Sequence, residues 1–289
     1  MKTKLIDFNL PKKPDSPVIF SFPHSGTFYN ETIRDDSKLS YKTLRKSEDS
    51  YVCDIFSDLL DKRTYFIKAN FPRCYVDVNR DKREIDRKLF KDITSDFKIL
   101  DTPLNKSGYG VIPRKVTHEL NIYNSKISIS EYYKRINEVY DNWHDITNQL
   151  IADCVSNFGL SIIIDCHSMP SIIEKNINYK LNDFVIGDLN GKSLDFQLQN
   201  KFERILNLQK YSYIFNKPFS GNYILRNHTN IEENKYGVQF EIRKDLYMNE
   251  NEIILKNKKF KELSKTVYWI FDTYKKYLNL NNKILNAAE

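Results

Sequence analysis

Short apolar runs bounded by turn residues alternate along this chain with longer stretches whose apolar positions recur every three to four residues. The runs Pro17–Phe22 (PVIFSF), Tyr65–Lys68, Cys74–Asn79, Leu160–Cys166, Phe184–Ile186, Tyr211–Phe215 and Val238–Ile242 predict buried or half-buried strands. Helical spacing predicts helices over Thr43–Leu60, Ser130–Phe158, Ser193–Leu208 and Glu252–Tyr277. Ser128-x-x-Glu131 has the spacing of a capping box at the start of the longest of these. Strands alternating with helices imply an α/β fold with an at least partly parallel sheet. No stretch rich in Gly, Ser or Pro is long enough to be a linker, and no repeat of solenoid period is visible, so the 289 residues predict a single domain. In such sheets chemistry collects at the carboxyl ends of the strands.

Composition narrows the class. With 40% hydrophobic, 13% aromatic and 29% charged residues and only 8 Gly and 9 Pro, the chain is neither low-complexity nor disordered. The longest apolar runs, such as Val267–Phe271, are too short to span a bilayer, and MKTKLIDFNLPKKP has no continuous apolar core for a signal peptide. The expectation is a cytoplasmic protein with no membrane partner. Lys and Arg exceed Asp and Glu by 45 to 38, a net +7, but the basic residues are scattered. Their densest patch, Lys256–Glu262, lies in a predicted helix and is read as a solvated face, so nucleic acid is not expected as a partner. Cys53, Cys74, Cys154 and Cys166 show no CxxC spacing and are expected to be free thiols.

Two strand exits carry histidine. Ser21-Phe22-Pro23-His24-Ser25-Gly26 runs from an apolar strand into a turn, and Ile162 to Pro170 (IIIDCHSMP) places His167 in a similar position. A lone histidine at a strand end is usually a surface or hydrogen-bonded residue, but here two of only five occupy equivalent contexts. A catalytic zinc site needs neutral imidazoles, commonly one carboxylate, and a position left for water. The missing carboxylate is sought in Ser47-Glu48-Asp49-Ser50. Neighbours on a helix diverge by about 100°, so one of Glu48 and Asp49 is expected to bind. In Val76-Asp77-Val78-Asn79-Arg80 and Gln239-Phe240-Glu241-Ile242-Arg243 the polar residues alternate with apolar ones, putting them on one strand face with an arginine at each exit. A guanidinium fork there suits a carboxylate ligand.

These segments, FSFPHSGTFY, RKSEDSYVCDIF, ANFPRCYVDVNR, GYGVIPR, IIIDCHSMPS, FVIGDLNGKS, NKPFSGNYI and VQFEIRKDLYM, occur in the order found in the N-formylglutamate amidohydrolase family, which the chain resembles over nearly its whole length. The resemblance implies a mixed, mostly parallel sheet flanked by helices, similar to zinc carboxypeptidases (phosphorylase/hydrolase-like). It implies hydrolysis of N-formyl-L-glutamate to glutamate and formate, a step of histidine degradation. It further implies one Zn2+, or another divalent ion, on His24, Asp49 and His167, preferring Asp49 to Glu48. Glu241 takes the place of the general base toward a metal-activated water, Asn79 with Arg80 resembles the pair that grips a substrate carboxylate, and Arg243 is a candidate for the second carboxylate. The partner is then a small molecule, an N-acyl dicarboxylic amino acid. A hydrolase for another N-acyl amino acid and a non-catalytic anion-binding protein of the same fold are the competing readings, and the intact set His24, Asp49, His167 and Glu241 argues against the second.

Three features invite other chemistry. Gly187-Asp188-Leu189-Asn190-Gly191-Lys192-Ser193 resembles a phosphate loop but has three residues between its glycines where the nucleotide motif needs four. Cys166 adjoins His167, yet neighbours on a strand point to opposite faces, so a thiol–imidazole pair is not expected. His144, after Trp143, reads as packing, and His228 lies in a polar stretch that belongs to the family-like region.

Overall fold

Nine-residue strands buried along most of their length form the centre of a seven-stranded sheet. The computed structural model describes residues 4–29, 31–172 and 181–285. Its strands are β1 (Ile6–Asn9), β2 (Val18–Phe22), β3 (Tyr65–Ala69), β4 (Ser161–Met169), β5 (Phe184–Gly187), β6 (Tyr213–Phe215) and β7 (Lys235–Arg243), in the order β1-β3-β2-β4-β7-β5-β6. β2, β4 and β7 run parallel, β5 is antiparallel to β7, and β6 is parallel to β5. The mixed, mostly parallel sheet with flanking helices is the architecture expected from the strand–helix alternation. Among the described residues no helix is long and apolar enough to cross a membrane.

Strand alternation sorts the two faces of β4 and β7. Ile162, Ile164, Cys166, Val238, Phe240 and Ile242 point into the main apolar core with Val18, Phe20 and Phe22. The helix Asn257–Leu285 covers that face with Leu263, Val267, Ile270, Phe271 and Tyr274. Phe240 and Phe271 meet edge-on with centroids 5.1 Å apart, and Phe56 joins them at 5.4 Å from Phe271. Each such fully buried side chain contributes about 1.5–3 kcal/mol through apolar area removed from water. The opposite face carries Asp165, His167, Gln239 and Glu241.

Two predicted elements differ. Thr43–Leu60 is not one helix but four short pieces, Tyr41–Leu44, Arg45–Ser47, Val52–Ile55 and Ser57–Leu59. The helix breaks where Glu48 is extended (φ −79°, ψ 156°) and Tyr51 is left-handed (φ 65°). Glu48, Asp49 and Ser50 are all buried there, and polar side chains turned inward make their own hydrogen bonds instead of the helical ladder. Cys74–Asn79 is not a strand either. Its amides go to local and distant acceptors, Tyr75 N–H to Pro72 O, Asp77 N–H to Val111 O and Asn79 N–H to the Asp77 carboxylate. Both its apolar and its polar residues are buried, so the alternation does not mark one wet and one dry face.

The helix after Ser128 runs from Ile129 through a π-helical turn at Ile136–Tyr140 to Phe158. Ser128 caps it by accepting from Ser130 N–H, while the Glu131 carboxylate meets Arg135 at 3.4 Å instead of closing a capping box. A strand at Ile6–Asn9 carried too little pattern to be foreseen, and a hairpin of Met248–Asn249 with Ile254–Leu255 takes up the start of the predicted helix Glu252–Tyr277, which begins instead at Asn257.

The chain groups into two compact units. One comprises Phe8–Phe22, Tyr51–Ile67 and most of the chain after Asn148, and holds the main core. The other, built on Pro23–Ser50 and Lys68–Thr147, has long irregular segments tied by specific polar contacts. At its centre the fully buried Arg135 stacks on Tyr75 at 4.5 Å and donates to Tyr75 O and Tyr123 Oη.

Candidate metal centre

On β4 and β7 the backbone register sets the geometry. Asp165 lies opposite Gln239, His167 opposite Glu241, and Met169 opposite Arg243. His167 is 3% exposed, and its Nε2 lies 2.8 Å from Asp165 Oδ2. Asp165, fully buried, also accepts from Ser21 Oγ at 2.9 Å. A carboxylate only accepts, so Nε2 is the protonated nitrogen, and a neutral His167 presents its lone pair on Nδ1. Glu241 is buried, and its Oε1 accepts from Gln239 Nε2 at 2.7 Å.

His24 occupies the first turn after β2 and is 1% exposed. Its carbonyl accepts the Asp49 N–H at 3.0 Å, which ties the two chain segments together at the backbone. Its Nδ1 lies 3.3 Å from Asp49 Oδ2 and its Nε2 2.8 Å from Asp77 Oδ1. The argument used for His167 then applies again, with Asp77 holding the ring by Nε2–H and Nδ1 facing Asp49. Burial alone would raise the Asp77 carboxyl, but Arg73 at 2.9 Å, His24 and Arg80 hold it well below the usual carboxylate range. The turn after His24 needs glycine. A Cβ on Gly26 would fall 1.9 Å from Phe71 O.

His24, Asp49 and His167 each offer one ligand atom, and these atoms lie within 4.8 Å of one another, all three residues being buried. Two imidazoles, each fixed through its far nitrogen by a buried carboxylate, plus one carboxylate form a donor set suited to a divalent ion such as zinc. Glu48 does not join them. Its carboxylate accepts from Tyr29 Oη, Arg45 Nε and Ser50 Oγ. Asp77 is the member of this arrangement that pattern reading did not assign. The available signal was a carboxylate inside an apolar stretch flanked by Arg73 and Arg80.

The predicted substrate-binding residues have distinct surroundings. Arg80 is 5% exposed, its Nε donating to Tyr109 O at 3.1 Å, and its own carbonyl accepts from Tyr140 Oη. The Asn79 backbone N–H is taken by Asp77 Oδ1 at 2.9 Å. Arg243 is engaged on all three nitrogens, by Asp245 at 2.6 Å, Asp183 at 2.9 Å and the Leu181 carbonyl.

A family model described as N-formylglutamate amidohydrolase matches residues 16–248. The chain belongs to this family. As a member it is an amidohydrolase. It is similar to the N-formylglutamate amidohydrolase of Ralstonia eutropha JMP134, whose crystal structure matches with a TM-score of 0.88 and 26% identity over 96% of this chain and 99% of that one. Two N-formylglutamate deformylases are also similar. That of Pseudomonas putida is 23% identical over 239 residues, covering 82% of this chain and 83% of its own, and that of Pseudomonas aeruginosa is 23% identical over 242 residues, covering 83% and 85%.

In this N-formylglutamate amidohydrolase family member the amide donors of the loop Gly187–Ser193 are taken by the loop's own Asp188 and by the neighbouring Asn216 and Ser220. Asp188 Oδ1 accepts from Gly191 N–H, and Asn216 Oδ1 accepts from the Asp188 and Asn190 amides. Those are amides that a phosphate would require, so the loop is a structural turn. Cys166 is fully buried in the core on the face opposite His167, and burial pushes its thiol up. All four cysteines are free thiols. His144 packs on Tyr140 with ring centroids 4.4 Å apart. His228 is 4% exposed, has Nδ1 2.9 Å from Asn148 Oδ1, and is pushed down to about 4 by burial, which keeps it neutral at pH 7.

Proposed function

We propose that this amidohydrolase hydrolyses N-formyl-L-glutamate to L-glutamate and formate, with His24, Asp49 and His167 holding one divalent ion, zinc in our reading, and Glu241 as general base. The observation that carries the reading is the buried trio His24, Asp49 and His167 in a chain of this family, with Glu241 register-paired to His167. When bound, such an ion supplies Lewis-acid charge that makes water a stronger acid and steadies negative charge developing on oxygen.

The chain's own residues do the rest. Asp77 and Asp165 keep both imidazoles in the tautomer that offers Nδ1 outward. Gln239 Nε2 donates to Glu241 Oε1 and holds the carboxylate that acts as base in one orientation. Glu241 takes a proton from the water that adds to the formyl carbon, and delivers it to the nitrogen as the carbon–nitrogen bond breaks, leaving formate and the free amine. Arg80 with Asn79 grips a substrate carboxylate and sets the formyl group in register. Arg243 would have to exchange one of its three acceptors for a substrate oxygen, so we assign the first grip to Arg80.

The test is formate release by the purified protein from N-formyl-L-glutamate, beside N-acetyl-L-glutamate and N-formylmethionine, before and after chelation and Zn2+ re-addition. Metal-dependent release confined to formylglutamate is the expected result. Release from the acetyl or methionine compound instead moves the substrate, and release that survives chelation overturns the metal role.

A further inference from the structure

The acidic pair Glu48-Asp49 divides its labour. Asp49 offers an oxygen to the trio, whereas Glu48, 1% exposed, points into a nest of donors. Tyr29 Oη lies 2.7 Å from Glu48 Oε1, Ser50 Oγ 2.8 Å from Oε2, and Arg45 Nε 3.0 Å from Oε2 and 3.3 Å from Oε1. Tyr29 is buried and its ring meets Tyr41 edge-on at 4.9 Å, so this donor is itself held in place. Glu48 sits in extended backbone between a 3-10 turn and the left-handed Tyr51, where no helical ladder fixes the chain. One backbone bond, Asp49 N–H to His24 O, joins this segment to the histidine turn. An irregular segment with an inward carboxylate has many alternative conformations, and each charge-assisted bond to that carboxylate removes some of them.

We infer that Glu48 is the positioning residue of the metal centre: its carboxylate, clamped by Tyr29, Arg45 and Ser50, fixes the segment that carries Asp49 and so presets the ligand for the ion. This rests on the metal-dependent reading above and extends it to a residue that touches neither ion nor substrate. Partners of this kind are typically worth about 10–100-fold in metal affinity.

The experiment measures Zn2+ affinity by chelator competition, and the visible absorption spectrum of the Co2+-loaded protein, for the wild type, Glu48→Ala, Glu48→Gln and Tyr29→Phe. Asp49→Ala serves as the ligand-loss reference. Ile112→Ala, a buried apolar truncation in the same compact unit, reports what loss of stability alone does. Glu48→Ala is expected to weaken Zn2+ binding about 10–100-fold and alter the Co2+ bands. Glu48→Gln, which keeps the shape and an acceptor, recovers most of that, and Tyr29→Phe loses about 2–10-fold. Ile112→Ala is expected to lower the Tm and leave both metal readouts in place.

Wild-type affinity and spectrum in Glu48→Ala overturn the inference, as does an equal affinity loss in Ile112→Ala. Loss as complete as in Asp49→Ala with no recovery in Glu48→Gln overturns it too, by making Glu48 a ligand. Wild-type protein that binds neither ion overturns the underlying metal reading, a failure visible before any variant is made. Should Glu48→Ala not fold, Glu48→Gln and Tyr29→Phe still decide, because unchanged metal affinity in both rejects the clamp.

Discussion

Asp165, His167, Gln239 and Glu241 share one face of β4 and β7 because successive strand residues alternate, and their spacing follows from the ladder between the two strands. Around His24 the means are different. His24, Asp49, Asp77 and Arg80 lie on turns and irregular segments, and each is held by side-chain contacts, Asp77 by Arg73 and His24, Arg80 by Tyr109. A strand positions a side chain through many repeated backbone bonds, so no one residue is decisive. An irregular segment depends on a few polar contacts, each of which matters. The two regions therefore differ in how they should fail.

The largest expected effect does not distinguish them. Chelation, or His24→Ala and His167→Ala, should each abolish metal-dependent formate release, measured with metal content on the same samples. A variant that retains metal and turnover removes its histidine from the ligand set. Glu241→Gln comes next. It should lower kcat by about 10²–10⁴-fold while metal content stays normal, and near-normal kcat takes the general-base role from Glu241.

The comparison sharpens with the two carboxylates behind the imidazoles. Asp165→Asn and Asp77→Asn should each weaken metal binding by about 10–100-fold. Asp77→Asn should in addition lower the Tm more than Asp165→Asn does, because it strips the charge that orders Arg73 and Arg80 as well as His24. Equal Tm losses would erase the proposed contrast.

A pH dependence belongs to the strand-bearing unit. The folded His228 value of about 4 lies below the unfolded value of about 6.5. The unfolded chain therefore binds more protons between these values, and stability is complete above about pH 6.5 and lost as pH falls toward 4. The full effect is about 3 kcal/mol. Urea unfolding of the wild type and His228→Asn should show the acid loss reduced in the variant; equal slopes would exclude His228 as its source. The smallest effect is on substrate affinity. Arg80→Ala should raise KM for formylglutamate about 10-fold or more, in line with removing one charged hydrogen-bonding partner, with kcat less affected. An unchanged KM takes the carboxylate grip from Arg80.

The sheet was readable because buried strands need apolar residues at every second position, and β2, β4, β5 and β7 keep that pattern over four to nine residues. His24 was readable as a strand exit, whereas His167, read as one, lies inside β4, which continues to Met169; the shared face of Gln239, Glu241 and Arg243 was readable from its period of two. Thr43–Leu60 misled because its apolar spacing is helical while Glu48 to Ser50 turn inward to be solvated by protein donors. Cys74–Asn79 misled because alternation describes a strand only when one face stays polar, and here both sets are buried.

Local patterns in the chain thus determined the α/β class, the succession of the central strands and helices along the chain, and His24 as the exit from a buried strand. They are local because apolar burial and strand or helix periodicity act over a few residues. Pattern alone left Glu48 and Asp49 open and the family resemblance favoured Asp49, whereas tertiary structure alone decided that Asp77 holds the His24 imidazole, that Glu48 is taken by Tyr29, and that Arg243 is already engaged by Asp183. These three pairs join residues 19 to 60 positions apart in the chain, where the cost of burying an unpaired charge selects the partner and no sequence period records it.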